Sequence, residues 1–522
     1  MPTSSMGQTP LQMPELLANV LQHVDHKTLF AAAQVNSLWA NEATNTLWRK
    51  SYRREIESLS APLQGLAKCS QEQRDWYTRK IRHLDIENDY DSDVSYSIID
   101  LLREKKFTFP NVRSVIVDLG SGNMKETDMA QFLSPSVVSL ELFGGYYTRW
   151  FLKQVQMHAP ILRYFLLDNR LVDEEGMTES LTAKDFMVFL ENMPSISHLE
   201  LHLGWQPIID EAVLSNIMLR PNLEKLGLGH SIQLRWEVLA RIIDESPQDI
   251  LFPMLRYLEI AAEKKALQLL LPNLPHLQGV RLVQIDIPLH PGNHILGSLS
   301  YCPRLEDIIF DSEHPTLISP KDLLKLASGC PELRRLELGD NFQCDVGFTD
   351  ELLETLVSKW KHLAVLSLPF TVELSIVSLI SLARHCPCLY ELKLMTDLEL
   401  TLLADESEKI TFPSLDFMQV GQITSSRLET EQDVDLLRSQ LIQLLDNRFP
   451  ALNSFSFNLT VDSDRSSGLA KAIKRHLGNT RTSNFDSRPL PVDLMLTRRL
   501  VEPIPGSRYN PSLKAGWIWP VQ

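Results

Sequence analysis

A spacing of three apolar residues that returns along most of the chain constrains the fold more than any other feature of this sequence. Its fullest form is Pro-x-Leu-x-x-Leu-x-Leu, seen at residues 221–228 and 331–338. The twelve steps between Pro110 and Pro450 average about 28 residues. The chain is therefore built of internal repeats and does not fold around one compact core. Related octapeptides, some of them degenerate, begin at Arg79, Pro110, Pro135, Pro160, Pro194, Pro253, Pro275, Pro303, Lys361, Pro387, Pro413 and Pro450.

The geometry of one unit predicts how the units assemble. Leu-x-Leu is a short strand, and the residues that follow it return as a helix. Each unit leaves an apolar flank that only its neighbour can cover, and the period lies in the range of leucine-rich repeats. We predict an α/β fold, an irregular horseshoe-shaped solenoid with a parallel sheet on its concave face and helices on its convex face. Because the spacing varies from 22 residues after Pro253 to 37 after Pro413, we expect helices and loops of unequal length.

The residue between the last two apolar positions of each unit should point outward from the concave face. We take four acidic residues at this position as candidate substrate-binding residues: Glu141, Glu200, Glu259 and Glu337. They would hold a basic segment of a protein substrate, with specificity set by the charge pattern. The alternative is that charges at strand centres only keep an exposed sheet soluble, and the sequence leaves both interpretations open.

The first fifty residues have a different pattern, which predicts three short helices. Leu17, Val20, Leu21 and Val24 fall at i, i+3, i+4 and i+7, which is one stripe of a helix that starts at a proline. Asp25 is placed to cap a second helix. A unit of this size rarely buries enough surface to be stable alone, so its remaining apolar face should meet the rest of the chain or a partner.

This N-terminal stretch resembles the F-box. The resemblance is carried by the Pro-Glu-Leu start at Pro14, the apolar zigzag after it, the Val-x-x-x-Trp of Val35 and Trp39, and the closing Leu47-Trp48. It implies docking on a Skp-type adaptor, which connects such proteins to a cullin-RING core in SCF ubiquitin ligases. The adaptor-binding residues implied by the resemblance are Pro14, Leu17, Leu21, Leu29, Val35 and Trp39.

Three cysteines stand directly before the proline of a repeat. The pairs Cys302-Pro303, Cys330-Pro331 and Cys386-Pro387 resemble the cysteine-containing class of leucine-rich repeats, in which each cysteine would close the end of a helix as a small hydrophobic residue. Six cysteines in 522 residues are too few for a disulfide framework. We therefore expect an intracellular location, cytoplasmic or nuclear.

Charge and motifs exclude several classes of function. With 51 Lys and Arg against 66 Asp and Glu, the net charge of −15 disfavours nucleic acid and anionic membranes as primary partners. The sequence has no phosphate-binding glycine loop, no dinucleotide fingerprint and no zinc-binding HExxH helix. A calcium loop in the acidic run from Asp85 to Asp93 would lack its turn glycine, and a solvated loop explains that run more simply. We predict no catalytic residues, no metal and no cofactor.

Together the two motifs resemble F-box proteins with leucine-rich repeats. We predict an F-box at residues 10–50, a helical linker at 51–80, the repeat solenoid at 81–478 and a Pro-rich basic tail or cap at 479–522. The resemblance implies a non-enzymatic substrate-recognition subunit of an SCF-type ubiquitin ligase. Two alternatives stay open: an adaptor-binding F-box scaffold that degrades nothing, and a receptor gated by a small-molecule ligand.

Overall fold

The chain forms two compact units, Met1–Glu373 and Leu374–Gln522. Residues 51–59 of the predicted linker, most of the acidic run and the predicted tail at 479–522 lie outside the described residues. The structure, a computed structural model, describes residues 13–50, 60–86, 98–120, 130–144, 147–168, 181–245, 251–285, 295–344, 347–370, 372–404, 410–423, 431–459 and 476.

Helices α1 to α5 precede the first strand. Pro14 is the first residue of α1, where its missing N–H leaves no hydrogen bond unmade. The Asp25 side chain accepts the Thr28 N–H at 2.7 Å and caps α2, as predicted. The bounds are α1 Pro14–Leu21, α2 His26–Ala32, α3 Ser37–Lys50, α4 Ser60–Ala67 and α5 Gln71–Thr78.

The repeats of the first unit contribute strands to a parallel sheet. The strands are β1 His83–Ile86, β2 Ser114–Gly120, β3 Ser139–Gly144, β4 Tyr164–Asp168, β5 His198–Leu201, β6 Lys225–Leu228, β7 Gln233–Leu234, β8 Tyr257–Ala262, β9 Gly279–Gln284, β10 Asp307–Ser312, β11 Thr316–Ile318, β12 Arg335–Leu338, β13 Phe342–Cys344 and β14 Val365–Leu368. They pair in the order β1-β2-β3-β4-β5-β6-β8-β9-β10-β12-β14, while β7 pairs with β8 and β11 with β13. The strands of the octapeptides lie where the Leu-x-Leu positions predict them, whereas β7, β11 and β13 lie outside the octapeptides and were not predicted.

Helices return the chain between most of these strands. The leucines of the octapeptides, such as Leu226 and Leu336, are buried in the core. The seven residues of α11 fit the short spacing after Pro253. The helices are α6 Ile98–Glu104, α7 Arg149–His158, α8 Ala183–Asn192, α9 Glu211–Met218, α10 Trp236–Glu245, α11 Lys264–Leu270, α12 Ile295–Leu299, α13 Pro320–Gly329 and α14 Asp350–Val357.

The second unit continues the same strand-and-helix alternation. Its strands β15 Glu391–Leu394, β16 Phe417–Ile423 and β17 Ser454–Leu459 are parallel. Its helices are α15 Ile376–His385 and α16 Glu431–Arg448, and the 18 residues of α16 account for the long spacing after Pro413. The predicted α/β class with parallel repeat strands is confirmed.

The three cysteines that precede a repeat proline close the ends of helices. Cys302, Cys330 and Cys386 are buried there, and burial raises the pKa of each thiol to about 12, so they stay neutral. The Cys330 thiol donates to the Leu299 carbonyl of the previous repeat at 3.4 Å. In another repeat, Arg220 stands directly before the proline, at Pro221. The sequence pattern did not indicate a role for this residue.

Arg220 performs this role with hydrogen bonds instead of a thiol. Its guanidinium donates to the carbonyl oxygens of Leu190 and Met193, both at 2.8 Å, at the end of α8. Carbonyls at the end of a helix lack partners within it, so the buried arginine satisfies acceptors that would otherwise be left without one.

The end of α6 provides a stability test. Lys106 has a φ of 52°, and the Phe107 N–H donates to the Leu102 carbonyl while the Lys106 N–H donates to Arg103, which is a Schellman motif that favours glycine at position 106. We expect Lys106→Gly to raise the free energy of unfolding by about 0.5–1 kcal/mol. Thermal or urea unfolding would measure this. Lys105→Gly, at a residue without a positive φ, should instead be destabilising; equal effects at both positions would contradict the assignment.

Candidate interaction surfaces

The three N-terminal helices enclose a small apolar core. Leu17, Leu21 and Leu29 are almost completely buried in it, and Trp39 packs partly buried against it. This corrects the assignment of those three leucines to adaptor contact, because their side chains are already used to hold α1, α2 and α3 together. Pro14 is exposed at the start of α1.

A second set of apolar residues lies on the outside of the same helices. Met13, the N-cap residue of α1, is followed by Leu16 and Val20 at i+3 and i+7, so the three residues form one stripe beside the buried stripe of Leu17 and Leu21. Phe30 and Val35 add the most exposed apolar side chains of the bundle, at 62% and 60%. We call these five residues the outer face. Several large apolar side chains exposed on one small bundle are typical of an interaction surface.

Lys80 ties the back of α3 to the start of the repeats. Its ammonium donates to the Asn41 side-chain oxygen at 2.6 Å and to that of Asn45 at 3.0 Å, and it lies 3.8 Å from the centre of the Trp76 ring. Burial of the ammonium lowers the pKa of Lys80 to about 8, which the charge of Glu42 only partly opposes. No sequence pattern indicates this joint, because Asn45 and Lys80 are 35 positions apart.

The predicted strand-centre residues do form one row across the sheet. Glu141 on β3 is in register with Leu166 on β4, which is in register with Glu200, then with Gly227 and Glu259. Glu337 holds the same row position on β12. However, Glu200 and Glu259 are buried rather than projecting freely, because neighbouring side chains lie over them.

Glu200 is the centre of a polar cluster at the middle of this row. Its carboxylate lies 2.7 Å from the Lys225 ammonium, accepts a hydrogen bond from the Tyr164 hydroxyl and lies 3.6 Å from His202 Nε2. Burial alone would raise the pKa of Glu200, but Lys225 and His202 hold it well below its usual range. Gly227 permits this arrangement, since a Cβ there would come 3.0 Å from the Glu200 side chain.

Two further acids of the row are also paired within the chain. Glu259 lies 3.9 Å from the Arg281 guanidinium, and Glu337 lies 3.3 Å from Arg335. In each case the acid and the cation lie on one strand or on adjacent strands of the sheet. Each of these acids therefore has a cation of this chain within 4 Å, which the sequence pattern of acids alone did not reveal.

Glu141 differs from the other three acids. Among the residues that the structure describes, it has no ion-pair partner; the Ser139 hydroxyl donates to it at 3.4 Å. Partial burial, and then the negative charges of Glu200 and Asp85, raise the pKa of Glu141 to about 7, although Lys225 acts in the opposite direction. Of the four candidate acids, this half-buried carboxylate would therefore stabilise a cation from outside the chain most.

The structure places no metal-binding cluster in the described part of the chain, where no group of three or more His, Cys, Asp or Glu side chains is arranged to hold an ion. Cys386 is buried while Cys388 is exposed, so the two thiols do not face one site. None of the described helices is long and apolar enough to span a membrane.

Comparison with known proteins adds one structural similarity. No family model matches the sequence, and no curated protein matches it. Among solved structures, the chain is similar to the crystal structure of the Rad7 and Elc1 complex in yeast, with a TM-score of 0.41 and 13% identity. The match covers 82% of this chain and 90% of the other. At this TM-score it carries no inference about partners.

Removing the charge of Glu141 and removing that of Glu200 should change the free energy of unfolding in opposite directions. Because the folded-state pKa of Glu141 lies above its ordinary 4.5, its ionisation opposes folding, and this cost grows as the pH rises from about 4.5 to 7. We expect Glu141→Gln to increase the free energy of unfolding by about 1–3 kcal/mol at pH 8 and to change it little near pH 4.5.

The matched control is Glu200→Gln, measured by urea unfolding at the same pH values. Removing that charge leaves the buried Lys225 ammonium without its counter-ion, so we expect a loss of about 3–5 kcal/mol at pH 8. A Glu141→Gln protein that is less stable than the wild type at pH 8 would show that Glu141 has a cation partner in the fold.

Proposed function

We propose that this chain is the non-catalytic substrate-recognition subunit of an SCF-type E3 ubiquitin ligase. The outer face would dock a Skp-type adaptor, and the repeat sheet would hold a protein substrate beside the cullin-RING core. The observation that carries the proposal is the outer face itself: five large apolar side chains lie exposed on a bundle whose core is already complete.

The resemblance of the N-terminal bundle to the F-box supports a Skp-type adaptor as the partner. Leu16, Val20 and Val35 belong to the stretch that resembles the F-box, and they are exposed while the leucines beside them are buried. Keeping this apolar area in water is unfavourable, and a partner helix laid across it would remove it from water. The Lys80 joint supports a positional mechanism, because it fixes α3 against the first repeat and so limits how the bundle can move.

For the substrate, the four candidate acids are not equivalent. Glu200, Glu259 and Glu337 have cations of this chain within 4 Å, whereas Glu141 has none among the described residues. We therefore assign Glu141 as the contact for a lysine or arginine of the substrate, with Glu200, Glu259 and Glu337 shaping the surface around it. A cation there would also relieve the repulsion that raises the pKa of Glu141.

The docking proposal is tested by charging the outer face. We expect Leu16→Asp combined with Val20→Asp to weaken binding of a purified Skp-type adaptor by about tenfold or more, because two desolvated apolar contacts would be replaced by carboxylates. Calorimetry or co-purification measures the loss, and circular dichroism confirms the fold. Both positions are exposed, so the bundle core stays intact, unlike in a Leu17→Asp protein.

The matched control is Met157→Asp, which charges an apolar residue that is 61% exposed on a repeat helix. It should leave adaptor binding unchanged. If the double variant binds the adaptor as well as the wild type does, the outer face is not the docking surface and the F-box assignment fails.

Affinity capture from cells with and without a proteasome inhibitor separates a ligase subunit from a scaffold. We expect substrates to accumulate on the wild type when the proteasome is inhibited, and to be recovered equally under both conditions with the Leu16→Asp/Val20→Asp protein, which would not reach the ligase. Glu141→Gln should reduce the recovery of substrates held by a basic segment. A wild type that brings down adaptor and cullin, with no protein whose recovery depends on the inhibitor, would favour the scaffold.

A further inference from the structure

The carboxylate of Glu141 lies between apolar neighbours in the strand-centre row. In register with Glu141 are Ile116 on β2 and Leu166 on β4. Burial is the main cause of the raised pKa of Glu141, so water solvates this carboxylate poorly. Among the described residues, its hydrogen-bond donor is the Ser139 hydroxyl, at 3.4 Å. A cation that pairs with Glu141 must therefore give up part of its own hydration to reach it.

The ring of Tyr164 is the aromatic group next to this carboxylate. Tyr164 is in register with Ser139, two residues before the strand partner of Glu141, so it lies diagonally across from Glu141 on the same side of the sheet. Burial and the charge of Glu200 raise the pKa of Tyr164, and the charge of Glu141 adds to this effect, which places the carboxylate near the ring. The short side chain of Ser139 leaves room beside the ring on β3.

Contacts with β5 and β6 hold the Tyr164 ring in place. Its hydroxyl donates to the Glu200 carboxylate, and the His198 ring centre lies 5.9 Å away on the same strand as Glu200. The Lys225 ammonium lies 5.7 Å from the ring centre, but it is paired with Glu200 at 2.7 Å. Lys225 therefore does not take the place of a cation at Glu141.

We propose that Glu141 and Tyr164 together select arginine over lysine in the substrate, an inference that rests on the proposed role of the repeat sheet in substrate binding. A guanidinium is more weakly hydrated than an ammonium, so it loses less when it leaves water. It also pairs with a carboxylate through two parallel hydrogen bonds and stacks on an aromatic face. Glu141 supplies the carboxylate and Tyr164 supplies the ring, whereas a lysine ammonium would be stabilised mainly by the charge of Glu141.

Two single-residue probes, Nα-acetyl-arginine amide and Nα-acetyl-lysine amide, test this selection on the full chain. Ligand-observed NMR titration measures dissociation constants on the order of 1 mM, which is the range expected for ligands of this size. We expect the wild type to bind the arginine probe about tenfold more tightly than the lysine probe. Glu141→Gln should weaken binding of the arginine probe by about tenfold, because the charge-assisted hydrogen bonds are lost.

A matched pair of variants isolates the ring of Tyr164. Tyr164→Phe and Tyr164→Leu both remove the hydrogen bond to Glu200, but only Tyr164→Leu removes the aromatic face. We expect Tyr164→Phe to keep the preference for arginine and Tyr164→Leu to reduce it by about threefold or more, with binding of the lysine probe little changed. Thermal unfolding of each variant checks that the fold is retained.

The outcomes separate the parts of the proposal. Equal binding of the two probes by the wild type would overturn the selection of arginine. A Tyr164→Phe protein that loses the preference as fully as Tyr164→Leu does would overturn the role of the ring. No binding of either probe, or binding that Glu141→Gln leaves unchanged, would overturn Glu141 as the contact. None of these measurements involves the outer face, so adaptor docking is tested separately by the Leu16→Asp/Val20→Asp protein.

Discussion

The first unit holds together because each repeat is covered by the next. A single strand and its return helix bury only one flank, so the leucines of one octapeptide are enclosed when the neighbouring repeat pairs with it. The parallel register from β1 to β14 is the result. It brings strand-centre residues from distant parts of the sequence into one row across the sheet.

The N-terminal bundle depends on its own small core and on a polar joint. Apolar residues occur on both sides of α1, and periodicity alone does not say which stripe faces inward, because Leu16 and Leu17 are neighbours in the sequence. Packing against α2 and α3 buries Leu17 and Leu21 and leaves Leu16 and Val20 outside. The F-box-like motif therefore located the region of the candidate surface, but the leucines that it implied for adaptor contact lie in the core.

Neighbouring strands decide which charged side chains of the repeat sheet are paired and which are available to a partner. The sequence places acids at regular positions, but whether an acid is available depends on a cation one repeat away. Lys225 reaches Glu200 because β5 and β6 are adjacent and Gly227 leaves room for the glutamate side chain. No described cation reaches Glu141 in this way. Of the four candidate acids, Glu200, Glu259 and Glu337 thus have a cation of this chain within 4 Å, whereas Glu141 has none among the described residues.

Local spacing and apolar periodicity were enough to predict the α/β class, the position of each octapeptide strand, the unequal helix lengths and the burial of the cysteines before proline. Other features depend on tertiary contacts: the exposed face of α1, the contacts of Lys80 with Asn41 and Asn45, and the pairing of Glu200 and Glu259 with cations of this chain. These contacts join side chains from different helices and strands. Their separation in the sequence follows no period that would reveal them, so only the packed chain shows which of them meet.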